Sequence, residues 1–226
     1  ARQAGKRCQI IAGTGANSTS EAVHMSKLAA EIGVDATLQV TPYYNKPSNE
    51  GLYRHFMEVA EKSGVPIVLY NVPGRTGKEI PLEIVVRLAE HPLVAAIKEA
   101  GGSVDRVSAL QDACSLTVLS GDDSLALPMM AVGARGVISV ASNLIPAEIS
   151  AMAALALQGD FAAALAIHRN YYPLFRDLFL ESNPIPVKAA LAELGKISEE
   201  YRLPLCSISA ANRKKLCDTL QKVGIL

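Results

Sequence analysis

Residues 94–102 read Val94-Ala95-Ala96-Ile97-Lys98-Glu99-Ala100-Gly101-Gly102. A short apolar run ends at a lysine and an acid, and two glycines then break it. An apolar run of this length, bounded by turn residues, predicts a strand buried on both faces. It places Lys98 at the strand's carboxyl end. Three other runs of the same length also end in polar signals: Thr41-Pro42-Tyr43-Tyr44-Asn45, Tyr70-Asn71-Val72-Pro73-Gly74-Arg75-Thr76 and Ser120-Gly121-Asp122-Asp123. Parallel βα arrays keep their chemistry at the ends of their strands. A lone lysine at such a place is ordinarily a solvated terminus; the recurrence of polar signals argues for a site.

Working outward, six strand-like runs are predicted: 8–14, 36–41, 66–71, 94–99, 117–121 and 136–142. They begin 28, 30, 28, 23 and 19 residues apart, with helix-period segments at 20–32, 52–63 and 82–90 between the early ones. Strands alternating with helices at this spacing predict repeated βα units and a parallel sheet. From Pro146 the pattern is helical only, with segments at 146–158, 161–180, 185–194 and 209–223. A boundary is placed at 159, giving a βα domain over 1–159 and an α-helical domain over 160–226. Six units do not close a barrel of eight, and an open doubly wound sheet is the alternative. Polar signals after successive strands favour the barrel.

Composition narrows the function. Half of the 226 residues are hydrophobic, enough for a full core, and 22 basic residues balance 22 acidic ones. That balance argues against a nucleic-acid surface, and no apolar stretch reaches membrane-spanning length. Cys8, Cys114, Cys206 and Cys217 have neither metal-ligand spacing nor the density of a disulfide framework, which suggests a reduced, cytoplasmic protein. His24, His55, His91 and His168 are scattered, so no metal is expected. Gly13-Thr14-Gly15-Ala16-Asn17-Ser18 resembles half of a dinucleotide fingerprint, but Ser18 stands where the third glycine belongs. A tight turn into a capped helix is the preferred reading. Asp122-Asp123 is read as capping the helix that follows.

A lysine that captures a carbonyl as a Schiff base must be available as the free amine, which means lowering its pKa from about 10.4. It also needs a proton shuttle, and a phenol can serve. Tyr43, Tyr44 and Tyr70 end the two strands before the one that carries Lys98, so their hydroxyls are expected to converge on it. Arg75, in a Pro-Gly loop, would offer its planar fork to a substrate carboxylate.

The motifs AGTGAN (12–17), TPYYNKPSNEGLYRHF (41–56), LYNVPGRTG (69–77), IKEAGG (97–102), LSGDDSLAL (119–127), GVISVASN (136–143) and NPIPVKAAL (183–191) run along the whole chain. Together they resemble the pyruvate-dependent class I aldolases of the dihydrodipicolinate synthase and N-acetylneuraminate lyase family. TPYYN, YNVPGRT and IKEA side with the synthases. The resemblance implies a (β/α)8 TIM barrel with a C-terminal helical domain, usually a dimer of dimers, that uses a covalent lysine imine and no cofactor. It implies condensation of pyruvate with L-aspartate 4-semialdehyde to 4-hydroxy-tetrahydrodipicolinate, on the route to diaminopimelate and lysine. Carried over residue by residue, Lys98 forms the imine and Tyr70 is the main proton-transfer phenol. Tyr44 extends the relay into a partner subunit's site. Arg75 binds the semialdehyde carboxylate, and Gly121 and Ile138 line the pyruvate pocket. Asn17, Glu21 and Tyr43 match the residues that hold lysine as an effector in the family's inhibitable members. Against the family pattern the chain begins just before the third strand, so the first two units and their Gly-Thr-Thr-Gly-Glu turn are expected to be missing from this sequence. Two other readings stay open: a different aldolase of the same family, and a non-catalytic paralogue that binds pyruvate or lysine.

Overall fold

The structure, a computed structural model, describes residues 1–5 and 7–226. Its contacts divide the chain into two compact units, residues 1–121 with 132–134, and residues 122–131 with 135–226.

In the first unit β1 (Ile11–Gly13), α1 (Thr19–Ile32), β2 (Ala36–Val40), α2 (Asn49–Ser63) and β3 (Ile67–Asn71) alternate. A short turn of helix, α3 (Pro73–Thr76), precedes α4 (Leu82–Ala89), β4 (Val94–Glu99), α5 (Val104–Ala113) and β5 (Thr117–Ser120). The five strands are parallel and lie in sequence order, so every strand end and the loop after it share one edge of the sheet. Helix boundaries follow local chemistry. α1 stops at Gly33, whose φ of 84° is the left-handed conformation that only glycine enters cheaply. Ser48 and Ser103 open α2 and α5 by accepting the backbone N–H of Gly51 and of Arg106.

The sheet has two chemically different faces, because side chains alternate along each strand. Thr37, Gln39, Ile67, Leu69, Asn71, Ile97, Glu99, Val118 and Ser120 all lie on the helix-covered face and are fully buried. The other face carries Ala36, Leu38, Val68 and Ala96 as one apolar cluster. A groove of 390 Å³ runs along the amino-terminal part of this face, lined by residues including Ile11, Ala36, Val68, Ala96 and Leu119.

The second glycine of AGTGAN, Gly15, has a packing role. The N–H groups of Thr14 and Gly15 donate to the Leu38 carbonyl at 3.2 and 3.3 Å. A Cβ on Gly15 would collide with the backbone nitrogen of Val40, so close chain approach explains the glycine at this position.

The second unit contains α6 (Asp123–Ala131), a 3₁₀ turn (Ala141–Asn143), α7 (Pro146–Leu157), α8 (Phe161–Asp177), α9 (Ile185–Glu193) and α10 (Ala210–Lys222). α6, α7 and α8 pack on one another, and α10 packs on α8 and α9. Buried Asp177 ties α8 to α10 by accepting from Thr219 Oγ1 at 2.6 Å.

The sixth predicted strand, 136–142, is not a strand of the sheet, so the described residues form a sheet of five strands where six were expected. Its backbone is diverted by side chains. The buried Asp123 carboxylate accepts the N–H groups of Val140 and Ala141 at 3.0 and 3.1 Å, and Ser139 Oγ accepts that of Ser142. Those amides serve a turn and not a ladder. Asp123 thus has a second use beyond the expected helix capping. Among the described residues, no helix is long and apolar enough to cross a membrane.

Candidate active site

Lys98 and Tyr70 are direct register partners on β4 and β3, and the Lys98 ammonium lies 4.1 Å from the centroid of the Tyr70 ring. Both are half-buried on the face of the apolar cluster. The pairing that brings them together changes register along the strands. Ile67 faces Val94, but Val68 faces Ala96, so Ala95 is an extra residue in β4. Such a bulge re-aims every side chain beyond it. A cation over a tyrosine face is attracted by the ring quadrupole and loses part of its hydration there.

The residues one step further, Asn71 and Glu99, are also register partners and sit on the helix-covered face. Asn71 Nδ2 donates to both Glu99 oxygens at 2.9 and 3.0 Å. Gly101 N–H donates to Glu99 Oε1 at 2.7 Å, and Arg106 Nε to Oε2 at 2.9 Å. Arg106 also pairs with Glu79 at 3.5 Å. Sequence reading did not single out Asn71 or Arg106. An arginine in the first turn of a helix reads as solvated, and its contact with Glu99 exists only once α5 has folded back on the strand.

Gly121 is close to Lys98. Its N–H donates to the Glu99 carbonyl at 2.7 Å, and a Cβ there would lie 3.0 Å from Lys98 Cε and 2.6 Å from the Ala100 Cβ. Arg75 is exposed within α3, at the same strand-end edge as Tyr70. Ile138 belongs to the second unit, in the segment before the 3₁₀ turn.

Tyr43 and Tyr44 are exposed on this chain. Tyr43 is 43% exposed and Tyr44 is 88% exposed. The cause is local: Tyr44 has φ 71° and Lys46 φ 42°, and these positive angles turn the loop outward. The loop is pinned by Asn17, whose Nδ2 donates to the Tyr43 carbonyl at 3.3 Å, while Asn45 Nδ2 donates to the Asn17 carbonyl at 2.9 Å. Glu21 is exposed in the first turn of α1, where its charge complements the helix dipole. The structure therefore gathers Lys98, Tyr70 and Gly121 at one place, and Asn17 and Tyr43 at a second.

His55, which carried no role in the sequence reading, is buried on α2, with Nδ1 2.9 Å from Thr19 Oγ1. Burial pushes its imidazole pKa down to about 4, against the opposing pull of the Glu58 carboxylate.

Residues 1–223 match the sequence model of the dihydrodipicolinate synthetase family. The 4-hydroxy-tetrahydrodipicolinate synthase of Thermodesulfovibrio yellowstonii is 50% identical over 223 residues, which is 98% of this chain and 77% of that protein. The chloride-inhibited dihydrodipicolinate synthase of Acinetobacter baumannii, solved in complex with pyruvate, superposes with a TM-score of 0.97 at 48% identity, covering 100% of this chain and 78% of that one. The dihydrodipicolinate synthase of Cyanidioschyzon merolae, solved with lysine bound, gives a TM-score of 0.95 at 42% identity over 99% of this chain and 76% of that one.

Proposed function

We propose that this chain, which belongs to the dihydrodipicolinate synthetase family, condenses pyruvate with L-aspartate 4-semialdehyde to give 4-hydroxy-tetrahydrodipicolinate. Relatives of that activity at about half identity, matched along nearly the whole chain, support the reading. The observation that carries the chemistry is the pairing of Lys98 with Tyr70 at 4.1 Å.

In this mechanism the Lys98 amine attacks the ketone carbon of pyruvate, and the carbinolamine loses water to form the imine. Tyr70 moves the protons of that dehydration and of the loss from the methyl carbon that gives the enamine. The enamine carbon then bonds to the aldehyde carbon of the semialdehyde, whose oxygen takes up a proton. The substrate's own amine finally attacks the imine carbon, closes the ring and releases the Lys98 amine. These steps use the Lys98 amine and the Tyr70 hydroxyl, and on this reading they call for no cofactor. Gly121 leaves room beside the Lys98 stem. Arg75 takes the semialdehyde carboxylate with its planar fork. Tyr44 extends the relay in a partner subunit's site, an assignment its outward turn suits. The assembly is a dimer of dimers. Asn17, Glu21 and Tyr43 form a site for lysine as effector, a reading supported by the hydrogen bond from Asn17 to the Tyr43 carbonyl.

The fold that goes with this reading is an eight-stranded (β/α)8 barrel, to which the five parallel strands contribute, and a helical domain from residue 160. Treating the full chain with pyruvate and borohydride tests the function. A reduced pyruvyl adduct on Lys98 is expected, and an adduct on another lysine such as Lys188, or none, overturns the assignment. Arg75→Ala is expected to spare that adduct and raise the KM of the semialdehyde.

A further inference from the structure

The Glu99 carboxylate is completely buried, yet it receives four hydrogen bonds from three different segments: two from Asn71, one from Gly101 N–H and one from Arg106. Two of its partners also grip a fourth segment. Asn71 Oδ1 accepts the N–H of Ile80 at 3.0 Å, and Arg106 Nη2 donates to the Ile80 carbonyl at 2.5 Å. One carboxylate thus fastens the end of β3, the end of β4, the first turn of α5 and the chain leading out of α3. A Cβ on Gly101 would sit 2.7 Å from Glu99 Oε1 and 3.4 Å from Asn71 Nδ2, so the backbone approaches the carboxylate as closely as glycine allows.

This cluster stands on the face opposite Lys98 and Tyr70, one residue further along the same two strands. A one-residue slip of β4 would exchange the two faces, turning Lys98 into the helix layer and Glu99 out of it. Apolar patterning alone does little against such a slip here, because the adjacent Ala96 and Ile97 are both apolar and both buried. The bulge at Ala95 makes the register irregular at the start of the strand, so the polar bonds between Asn71 and Glu99 must specify it at the end. Removing one donor leaves a buried charge underpaired, a loss felt throughout the cluster.

We propose that Asn71, Glu99 and Arg106 are positioning residues, which hold the amine of Lys98 in place opposite Tyr70 and thereby set the rate of carbonyl capture. This inference rests on the functional reading above. Arg106 touches neither substrate nor the reacting amine; it acts through Glu99.

The test uses the full chain and the Arg106→Met, Arg106→Lys and Glu99→Gln variants, each first shown to be folded by far-UV circular dichroism. The rate of pyruvate capture by Lys98 is read from borohydride trapping over time. Misplacement of this kind is expected to slow capture and kcat in Arg106→Met by about 10- to 100-fold. The KM of the semialdehyde should move by less than about twofold, because acceptor binding is not what the cluster controls. Arg106→Lys keeps one charged donor and should recover part of the loss. Capture at the parental rate in folded Arg106→Met overturns the proposal. Where that variant does not fold, Glu99→Gln, of the same shape and uncharged, is read by the same criteria. A parent protein without a Lys98 adduct overturns the functional reading itself. A parent that forms the adduct, with variants that match its rate, overturns the positioning role alone.

Discussion

The Lys98 ammonium lies over the face of the Tyr70 ring, 4.1 Å from its centroid, and the two residues are neighbours across adjacent parallel strands. The ring and the hydroxyl of Tyr70 therefore have separable duties. The ring is a desolvating platform for the cation, and the hydroxyl is the proton carrier.

Tyr70→Phe keeps the platform and removes the carrier. Turnover should fall by about 10²–10⁴-fold, the usual worth of a positioned proton-transfer group. The borohydride adduct on Lys98 should still form, more slowly. Tyr70→Ala removes both, and adduct formation should slow further. Equal trapping rates in the two variants would show that the ring contributes nothing.

Gly121→Ala tests the crowding around the Lys98 stem. The new methyl would meet the Ala100 Cβ at 2.6 Å and Lys98 Cε at 3.0 Å, and the first of these neighbours is short and fixed to the backbone. Overpacking of this kind costs about 1–3 kcal/mol. Thermal melting should drop and pyruvate capture should slow together. A variant with parental melting and parental capture would mean that the pocket has slack where the geometry shows none.

What the sequence disclosed depended on whether the deciding contact was local. β4 was legible at both ends because its apolar run stops at Lys98-Glu99 and is followed by two glycines. Lys98 stood out because a lysine at that place is chemically unusual. Arg106 did not, since its partner Glu99 is seven residues away and on another element. The run 136–142 is mostly apolar and of strand length, but Asp123, far upstream, takes two of its amides. Tyr44 follows the end of a strand two before the one that carries Lys98, which suggested that its hydroxyl converges there. Only its φ of 71° sends it outward, and a tyrosine gives no warning of that. α3 was hidden because Pro73-Gly74 reads as a loop, although proline is well suited to the first position of a helix.

His55 should make stability pH-dependent on the acid side. Its imidazole is held neutral in the fold, with a pKa of about 4, whereas the unfolded chain takes up the proton near the ordinary value of 6.5. The unfolded state thus binds more protons between these two values, and stability rises with pH there. The contribution is fully present above the ordinary value and is lost as pH falls toward 4, at up to roughly 1.4 kcal/mol per pH unit. Urea unfolding at about pH 7.5 and about pH 5 should show a smaller difference for His55→Gln than for the parent. Identical differences would place the acid sensitivity elsewhere.

Lysine sensitivity is the last expectation, and it follows from how the Tyr43–Lys46 loop is held. Two residues in this loop sit at positive φ, a conformation that costs of order 1–3 kcal/mol each unless contacts over-determine it. Asn17 provides such contacts, through its side chain to Tyr43 and through its carbonyl to Asn45. An amino acid bound against Asn17, with its ammonium on Glu21, would compete for the group that pins the loop. The strain at Tyr44 would then be redistributed to the residue proposed to extend the proton relay. Added lysine should lower the activity of the full chain, and Glu21→Ala should abolish that inhibition while leaving the uninhibited rate near parental. Coupling is reciprocal, so pyruvate should change lysine affinity by the same factor by which lysine changes pyruvate affinity, typically about 5- to 150-fold. Calorimetric titration of lysine with and without pyruvate measures that factor. Activity unaffected by millimolar lysine, or inhibition that persists in Glu21→Ala, would remove the effector from this site.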